Sequence, residues 1–275
     1  MFESLSRSLS IVKKSFGVLM EEKKLLLFPV ISAIAILAVL ISFVIPVLFI
    51  NSGILMIALL FCFYFASYLV VIFFNSALIH AVNEKLEGRP VSLTASISFA
   101  FSRLLNIVLW AIVAATVGMI LNMLKSAVQR GRGVGAIIGS LVISVIGMAW
   151  SFATFFVVPV IVFENVSPFA AIARSVDIVK KTWSEEIIGG FAIGIIFLVA
   201  YLLGIALIIA GVFISPLIVV LVPLGILVML LAFITQGAVE GIFVAELYRY
   251  SQNGQAVVFK DEIEQARGAK PPGQF

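Results

Sequence analysis

Six polar side chains within otherwise apolar segments are the residues of this sequence that could bind a proton or a cation. They are Asn75, His80, Glu164, Gln236, Glu240 and Glu246. Polar groups inside a bilayer are costly unless they are paired or hydrated, so they mark functional sites more often than apolar residues do. Glu240, Glu164 and His80 form a proton or cation site if the helix ends bring them together. The structural alternative is that Glu164, Glu246 and His80 lie at the water boundary and that Glu240 is hydrogen-bonded to a neighbouring helix.

The motifs of known catalytic and metal sites are missing from the sequence. His80 is the only histidine and Cys62 is the only cysteine, which excludes a histidine-rich zinc site and a disulfide within one chain. The glycine-rich stretch at 130–139 has neither the ending of a phosphate-binding loop nor the spacing of a dinucleotide-binding loop. We therefore predict a protein that is not an enzyme, that uses no metal and no cofactor, and that has no nucleic acid partner.

The composition indicates that the segments carrying these polar groups lie in a membrane. Hydrophobic residues make up 63% of the chain and charged residues only 12%, whereas a soluble domain is about half apolar and about a quarter charged. Apolar runs long enough to cross about 30 Å of hydrocarbon as helices occur six times. They cover about 26–50, 54–79, 104–124, 134–163, 187–211 and 214–247.

The sequence therefore predicts an all-α fold, a six-span transmembrane helical bundle. Residues 1–250 form a single membrane domain in this prediction, and a polar C-terminal tail follows at 251–275. Three GxxxG pairs, which begin at Gly135, Gly190 and Gly237, predict close helix packing within the bundle. In the last run Pro216 and Pro223 predict a break or a kink, and a re-entrant start near 214–223 is the alternative.

Positive charge predicts the orientation. Segments 1–24, 80–103, 164–186 and 248–275 carry five, three, three and four of the 18 Lys and Arg residues. Because cytoplasmic loops are enriched in positive charge, we expect a multi-pass protein of the cytoplasmic (plasma) membrane with both termini in the cytoplasm. The exceptions are Lys125, Arg130 and Arg132, in a loop predicted to lie outside. Either this loop contacts anionic headgroups or a partner, or the third span does not fully cross.

One short amphipathic segment occurs twice, as SRSLSIVKKSF at 6–16 and as ARSVDIVKKTW at 173–183. With the residues upstream, the apolar positions of each copy fall on one arc of a helix. They are Phe2, Leu5, Leu9, Val12 and Phe16 in the first copy and Phe169, Ile172, Val176, Val179 and Trp183 in the second. Basic residues lie opposite this stripe or at its edge, where they could bind headgroups: Arg7, Lys13, Lys14, Arg174, Lys180 and Lys181. Each copy is predicted to be a cytoplasmic interfacial amphipathic helix that contacts anionic headgroups.

A weaker third copy follows the second span. Val91, Ser92, Ala95 and Ile97 match Val166, Ser167, Ala170 and Ile172, and the apolar stripe continues, but the lysine pair is missing. The chain is thus predicted to consist of three parallel repeats, each an interfacial helix followed by two spans, at about 1–79, 91–163 and 167–247. The alternative is that any basic amphipathic helix before a span gives the same pattern.

The block at 147–186 resembles the signature of an uncharacterised family of prokaryotic polytopic membrane proteins. The residues that carry the resemblance are Trp150, Ala153, Thr154, Phe156, Val157, Val158, Pro159, Glu164, Pro168, Ala171, Arg174, Ser175, Lys181, Thr182 and Trp183. The stretches NSALIHAVNEKLEG and AELYRY are also similar to that family. The layout is distantly similar to the membrane-domain repeats found beside glycerophosphodiester phosphodiesterases. The resemblance implies a fold and a topology, and it implies no reaction, because the phosphodiesterase domain is missing from this sequence.

Two functions from different classes fit these observations. The first is a non-enzymatic integral membrane protein that organises lipid or serves as an accessory subunit, with the lipid bilayer, its anionic headgroups and a protein partner or a second copy as partners. The alternative is a permease or channel for a small solute, an ion or a lipid, lined by the intramembrane polar groups. The two hypotheses differ in whether Glu240, Glu164 and His80 line one water-filled cavity.

Overall fold

Helices account for all the regular secondary structure of the described residues. The structure, a computed structural model, describes residues 2–50, 52–131, 133–254 and 258, without the side chains of 2–9, 11, 134, 181–192 and 215. The helices are α1 (Phe2–Glu21), α2 (Leu27–Phe49), α3 (Gly53–Leu86), α4 (Leu93–Ser102), α5 (Leu104–Gln129), α6 (Val134–Ala153), α7 (Val157–Glu164), α8 (Pro168–Phe213) and α9 (Ile218–Asn253). Short 3₁₀ segments at Lys23–Leu26 and Ser215–Leu217 precede α2 and α9.

Six helical stretches are long and apolar enough to cross a membrane, which confirms the predicted all-α six-span bundle. They are Lys23–Phe49, Gly53–Leu86, Leu104–Gln129, Gly135–Glu164, Ile193–Phe213 and Ile218–Asn253. The fourth is interrupted between α6 and α7, just before Pro159, which has no N–H to donate to the preceding turn. Pro216 lies in the 3₁₀ break between α8 and α9, whereas Pro223 lies inside α9 without ending it.

The chain packs as two units. Unit one comprises Met1–Val30, Ala81–Val91 and Thr182–Phe275, and unit two comprises Ile31–His80 and Ser92–Lys181. In unit one α1 packs on α9. In unit two α5 packs on α6, where Trp110 stacks on Trp150 with 5.9 Å between the ring centroids. This packing does not test the predicted bounds of the single membrane domain or of the three repeats, and both stay predictions.

Burial follows the same course along three of the long helical stretches. Buried residues become frequent about 20 residues after the start of each: from Ile72 in α3, from Phe156 after α6, and from Ala238 in α9. Upstream of these points the described side chains are exposed or half-buried, apart from Ala232 in α9. Each stretch therefore has an apolar, exposed first part and a packed end.

The three short amphipathic segments each bury one narrow face. The buried residues are Val12, Ser15 and Leu19 in α1, Ser96 and Ala100 in α4, and Ala171, Ser175 and Ile178 in α8. The predicted apolar stripe is divided, because Val12 and Val179 are buried in protein while Phe16 and Phe169 are exposed. The side chains of Phe2, Leu5, Leu9 and Trp183 lie outside the described set. Contact of these helices with lipid stays a prediction.

The segments differ in how they join the following span. The first helix ends at Glu21 before the 3₁₀ turn, and α4 ends before Arg103, so the chain can change direction at both junctions. By contrast α8 runs from Pro168 to Phe213 without a break. A helix that lies in the headgroup plane must turn before it crosses the bilayer. The flat orientation predicted for the start of α8 stays a prediction.

Candidate functional site

A chain of three hydrogen-bonded side chains in unit one contains two of the predicted site residues. The Tyr201 hydroxyl donates to Gln236 Oε1 at 2.9 Å, and Gln236 Nε2 donates to Glu240 Oε1 at 2.6 Å. Gln236 and Glu240 are one turn apart on α9, and Tyr201 comes from α8. The side chain of Glu240 is exposed at the surface of the unit. The amide thus fixes the orientation of the carboxylate and leaves its second oxygen, Oε2, able to accept a proton or a cation.

Glu246 has a structural role at the end of α9. Its side chain is fully buried, and Oε1 accepts a hydrogen bond of 2.6 Å from the backbone N–H of Val258. Between them Gly254 adopts a left-handed conformation with φ of 64°, which ends the helix and turns the chain back. The carboxylate therefore holds the backbone of Val258 against the helix.

His80, in unit two, joins α3 to α4. Its Nδ1 and the Ser96 hydroxyl share a hydrogen bond of 3.3 Å, and its ring stacks on Phe99 with 4.0 Å between centroids. The guanidinium of Arg103 lies 5.1 Å from the centre of the Phe99 ring, and its Nε donates to the carbonyl of Val162 at 3.2 Å. A cation over an aromatic face is attracted by the ring quadrupole, so the group packs as a unit.

Glu164 forms an ion pair within unit two. Arg174 Nε lies 3.1 Å from Glu164 Oε1, and both side chains are about two-thirds buried. One residue further, Asn106 donates to Asn165 at 3.0 Å, where the chain turns in the left-handed conformation. The predictions placed Glu164 in a cation site and Arg174 at the headgroups, and they did not foresee that the two residues contact each other.

The six predicted site residues fall into two groups. Gln236, Glu240 and Glu246 lie in unit one, whereas Asn75, His80 and Glu164 lie in unit two. Of the six, the structure brings Gln236 and Glu240 into contact, and Asn75 is half-buried in α3. The convergence of Glu240, Glu164 and His80 stays a prediction. Among the described residues no group of three His, Cys, Asp or Glu side chains is placed to hold a metal ion.

The residues predicted to bind headgroups differ in their exposure. Lys13 and Lys180 are exposed, and Lys14 is half-buried. The side chains of Arg7 and Lys181 lie outside the described set. In the loop predicted to lie outside, Lys125 and Arg130 are exposed and Arg132 is not described. Lys23, for which no role was predicted, is exposed. It follows Glu22 and begins the 3₁₀ turn after α1.

An ionic network after α3 was not predicted. Arg89 donates to both carboxylate oxygens of Glu84, at 2.7 Å and 2.6 Å, and it also contacts Glu87. Arg249 of α9 lies 3.6 Å from Glu87. The hydrogen bonds to Glu84 raise the pKa of Arg89, so the guanidinium stays charged. The dense alternation of charges in NEKLEGR was the signal in the sequence, and it indicates a fixed loop rather than a reaction centre.

A model of the family described as "Family of unknown function (DUF6159)" matches residues 54–258. None of the curated proteins and none of the solved structures matches the chain. The match covers most of the spans, the α4 segment and the start of α8. The likeness to the repeats beside glycerophosphodiester phosphodiesterases stays a prediction.

Proposed function

The chain belongs to the Family of unknown function (DUF6159), and from that premise we propose that it is a non-enzymatic integral membrane protein that organises lipid at one face of the membrane. It would be a multi-pass protein of the cytoplasmic membrane with both termini in the cytoplasm. The observation that carries the proposal is the exposed apolar side of α1 and of α4. Each of these helices directly precedes a span and packs against the buried end of a long helix, α9 for α1 and α3 for α4.

The first support comes from helix length. At about 1.5 Å per residue α3 is roughly 51 Å long and α9 roughly 54 Å, whereas the hydrocarbon of a bilayer is about 30 Å thick. If both helices enter at their first residues, the last 20 Å or so of each extends beyond the hydrocarbon. Buried residues become frequent in that last part, as expected for a chain that leaves lipid and packs against protein in water.

The second support is the depth of the candidate polar groups. Roughly 33 Å of helix separates Ile218 from Glu240, and roughly 40 Å separates Gly53 from His80. Both residues then lie at or beyond the boundary of the hydrocarbon and not at its middle. The ion pair of Glu164 and the hydrogen bond to Glu246 also give these carboxylates structural partners. Polar groups at the water boundary support a scaffold more than a transport path.

The third support is the surface of the short helices. Phe16 is 43% exposed and Met20 54% exposed in α1, and Phe101 is 58% exposed in α4. All three lie within about two turns of the next span, which begins at Lys23 after α1 and at Leu104 after α4. Entry of large apolar side chains near the start of a span into the boundary between headgroups and acyl chains lowers the free energy. The two helices would thereby fix the packed ends to one leaflet.

Depth measurements test this proposal. The only cysteine, Cys62, is replaced by Ser, and a single cysteine with a fluorophore is placed at Phe16, at Phe101 or at the control position Asn253, which is exposed at the end of α9. In nanodiscs with lipids brominated near the glycerol, we expect strong quenching at Phe16 and Phe101 and little at Asn253. Equal and weak quenching at all three positions would show that the helices do not enter the bilayer and would remove the proposal.

The second candidate function, a permease or channel for a proton or a small cation, is favoured by the chain from Tyr201 through Gln236 to Glu240. Flux in proteoliposomes with an internal pH-sensitive dye tests it. Transport through this site predicts that Glu240→Gln abolishes the flux while Glu22→Gln, which removes a carboxylate before the first span, leaves it unchanged. Wild-type flux no greater than that of empty liposomes would remove the transport function and leave the scaffold.

A further inference from the structure

We propose that Lys13, Phe16, Met20 and Lys23 form a binding site for an anionic phospholipid, hereafter the α1 stripe. This inference rests on the proposed function and adds the chemistry of the ligand. The ammonium groups of Lys13 and Lys23, at the two ends of the stripe about 15 Å apart along the chain, attract headgroup phosphates, and Phe16 and Met20 contact the glycerol and the upper acyl chains. All four side chains are exposed.

The packing of α1 fixes which way the stripe faces. Val12, Ser15 and Leu19 are buried in unit one, so the helix cannot rotate about its axis. At about 100° per residue Phe16, Met20 and Lys13 all lie on one side of that buried face, within about 130° of its centre. The apolar pair is therefore next to the protein surface, and Lys13 lies at the outer edge of the pair.

Lys23 lies at the C-terminal end of the stripe. The helix ends at Glu21, and Lys23 begins the 3₁₀ turn that leads into the first span, so its ammonium is at the level where the chain enters the hydrocarbon. Its neighbour Lys24 instead donates to the carbonyl of Val91 at 3.3 Å. Of the two acidic residues before Lys23, Glu21 is paired with Lys85 at 3.1 Å, and Glu22 is half-buried at the start of the 3₁₀ turn. Beside Phe16 a side chain added at Gly17 would meet no atom within 4 Å, which leaves room for a lipid.

The corresponding part of α4 provides a natural comparison. It also buries one face, through Ser96 and Ala100, and exposes Phe101, but it contains no basic residue. Arg103, at its end, points its guanidinium at Phe99 and at the carbonyl of Val162. This helix would enter the bilayer without a preference for charge. Of these two helices, α1 would therefore be the one that prefers anionic lipid.

Lipid composition around the protein tests the site. The full-length chain is reconstituted in nanodiscs of phosphatidylglycerol and phosphatidylcholine, and the enrichment of phosphatidylglycerol in the lipid that stays bound is measured. Each lysine near the surface contributes roughly a fivefold preference, so K13Q/K23Q should lower the enrichment roughly 25-fold. K13R/K23R should retain it. The control K260Q/K270Q removes two positive charges from the polar segment at 251–275 and should change the enrichment less than about twofold, since that segment is not part of the stripe.

A gain of charge on α4 complements this loss. Thr94 is exposed at the position of α4 that corresponds to the edge of the stripe, and T94K should raise the enrichment severalfold in the K13Q/K23Q background. Millimolar glycerol phosphate should not compete with the lipid, because it lacks the acyl chains that contact Phe16 and Met20. Competition would assign the site to a soluble phosphate and overturn the lipid assignment.

The outcomes separate this inference from the proposed function. Unchanged enrichment in K13Q/K23Q, with the label at Phe16 still quenched by brominated lipid, would overturn the α1 stripe and leave the scaffold function standing. Loss of quenching at both Phe16 and Phe101 would remove the scaffold function and the stripe together. Thermal unfolding of each variant is compared with the wild type, and a variant that unfolds early is replaced by the corresponding single substitution, K13Q or K23Q.

Discussion

The first part and the packed end of α3 have similar side chains and different surroundings. Ile57 is 49% exposed, whereas Ile79 of the same helix is completely buried. Both residues are isoleucine in an apolar segment, so composition does not explain the difference. We attribute the difference to the solvent around each part. An apolar side chain can remain in contact with lipid at no cost in free energy, whereas contact with water favours its burial against protein.

The two regions also use different means of helix packing. In the packed ends large apolar side chains such as Ile79, Phe156 and Phe243 are buried. In the apolar part of unit one the helices α8 and α9 approach through glycine. A methyl group added at Gly225 would lie 2.5 Å from the carbonyl oxygen of Gly204. Close backbone approach replaces the hydrophobic effect where lipid is the solvent.

The largest effect is expected from a matched pair of substitutions on α3. Ile79→Ala deletes a buried side chain and should lower the free energy of unfolding by about 2–5 kcal/mol, whereas Ile57→Ala should cost less than about 1 kcal/mol. The measurement is the apparent melting temperature in nanodiscs. Equal shifts for both variants would contradict the distinction between the two regions.

A smaller effect is expected from glycine to alanine changes within the apolar parts. Gly225→Ala should destabilise the protein by about 1–3 kcal/mol, because the methyl would clash with Gly204 and Ile208. Its control is Gly147→Ala on α6, where nothing lies within 4 Å of the added atom and alanine favours the helix by roughly 0.5–1 kcal/mol. The same melting assay applies, and a stabilising effect of Gly225→Ala would show that α8 and α9 are not packed closely there.

The smallest effect is expected from the ion pair at the packed end of unit two. Glu164→Gln removes the charge that contacts Arg174, and a partly exposed pair contributes about 1 kcal/mol or less. The melting temperature should fall slightly, and the difference from the wild type should shrink at high salt. A loss as large as that of Ile79→Ala would mean that the pair, and not apolar burial, holds this end together.

The sequence predicted the elements better than the contacts between polar groups. Six spans followed from the apolar runs, because a helix that crosses lipid requires about 20 consecutive apolar residues. The partners of Gln236 and Glu164 could not be predicted, since Tyr201 comes from a different helix and Arg174 follows the turn at Asn165. The GxxxG pairs identified close packing in part: a Cβ added at Gly139 would lie 2.8 Å from Val128, while Gly135 and Gly194 have no neighbour within 4 Å of an added Cβ. The close approach of Gly204 and Gly225 involves no such pair.

By itself the sequence determined that the chain is helical, how many stretches can span a membrane and where positive charge accumulates. These are properties of single segments, which depend on composition and period alone. Only the tertiary structure decided which part of each long helix is buried, which face of α1 is turned outward and that His80 stacks on Phe99. Such contacts join residues far apart in the chain, and the free energy that selects them arises when two surfaces meet and exclude the solvent between them.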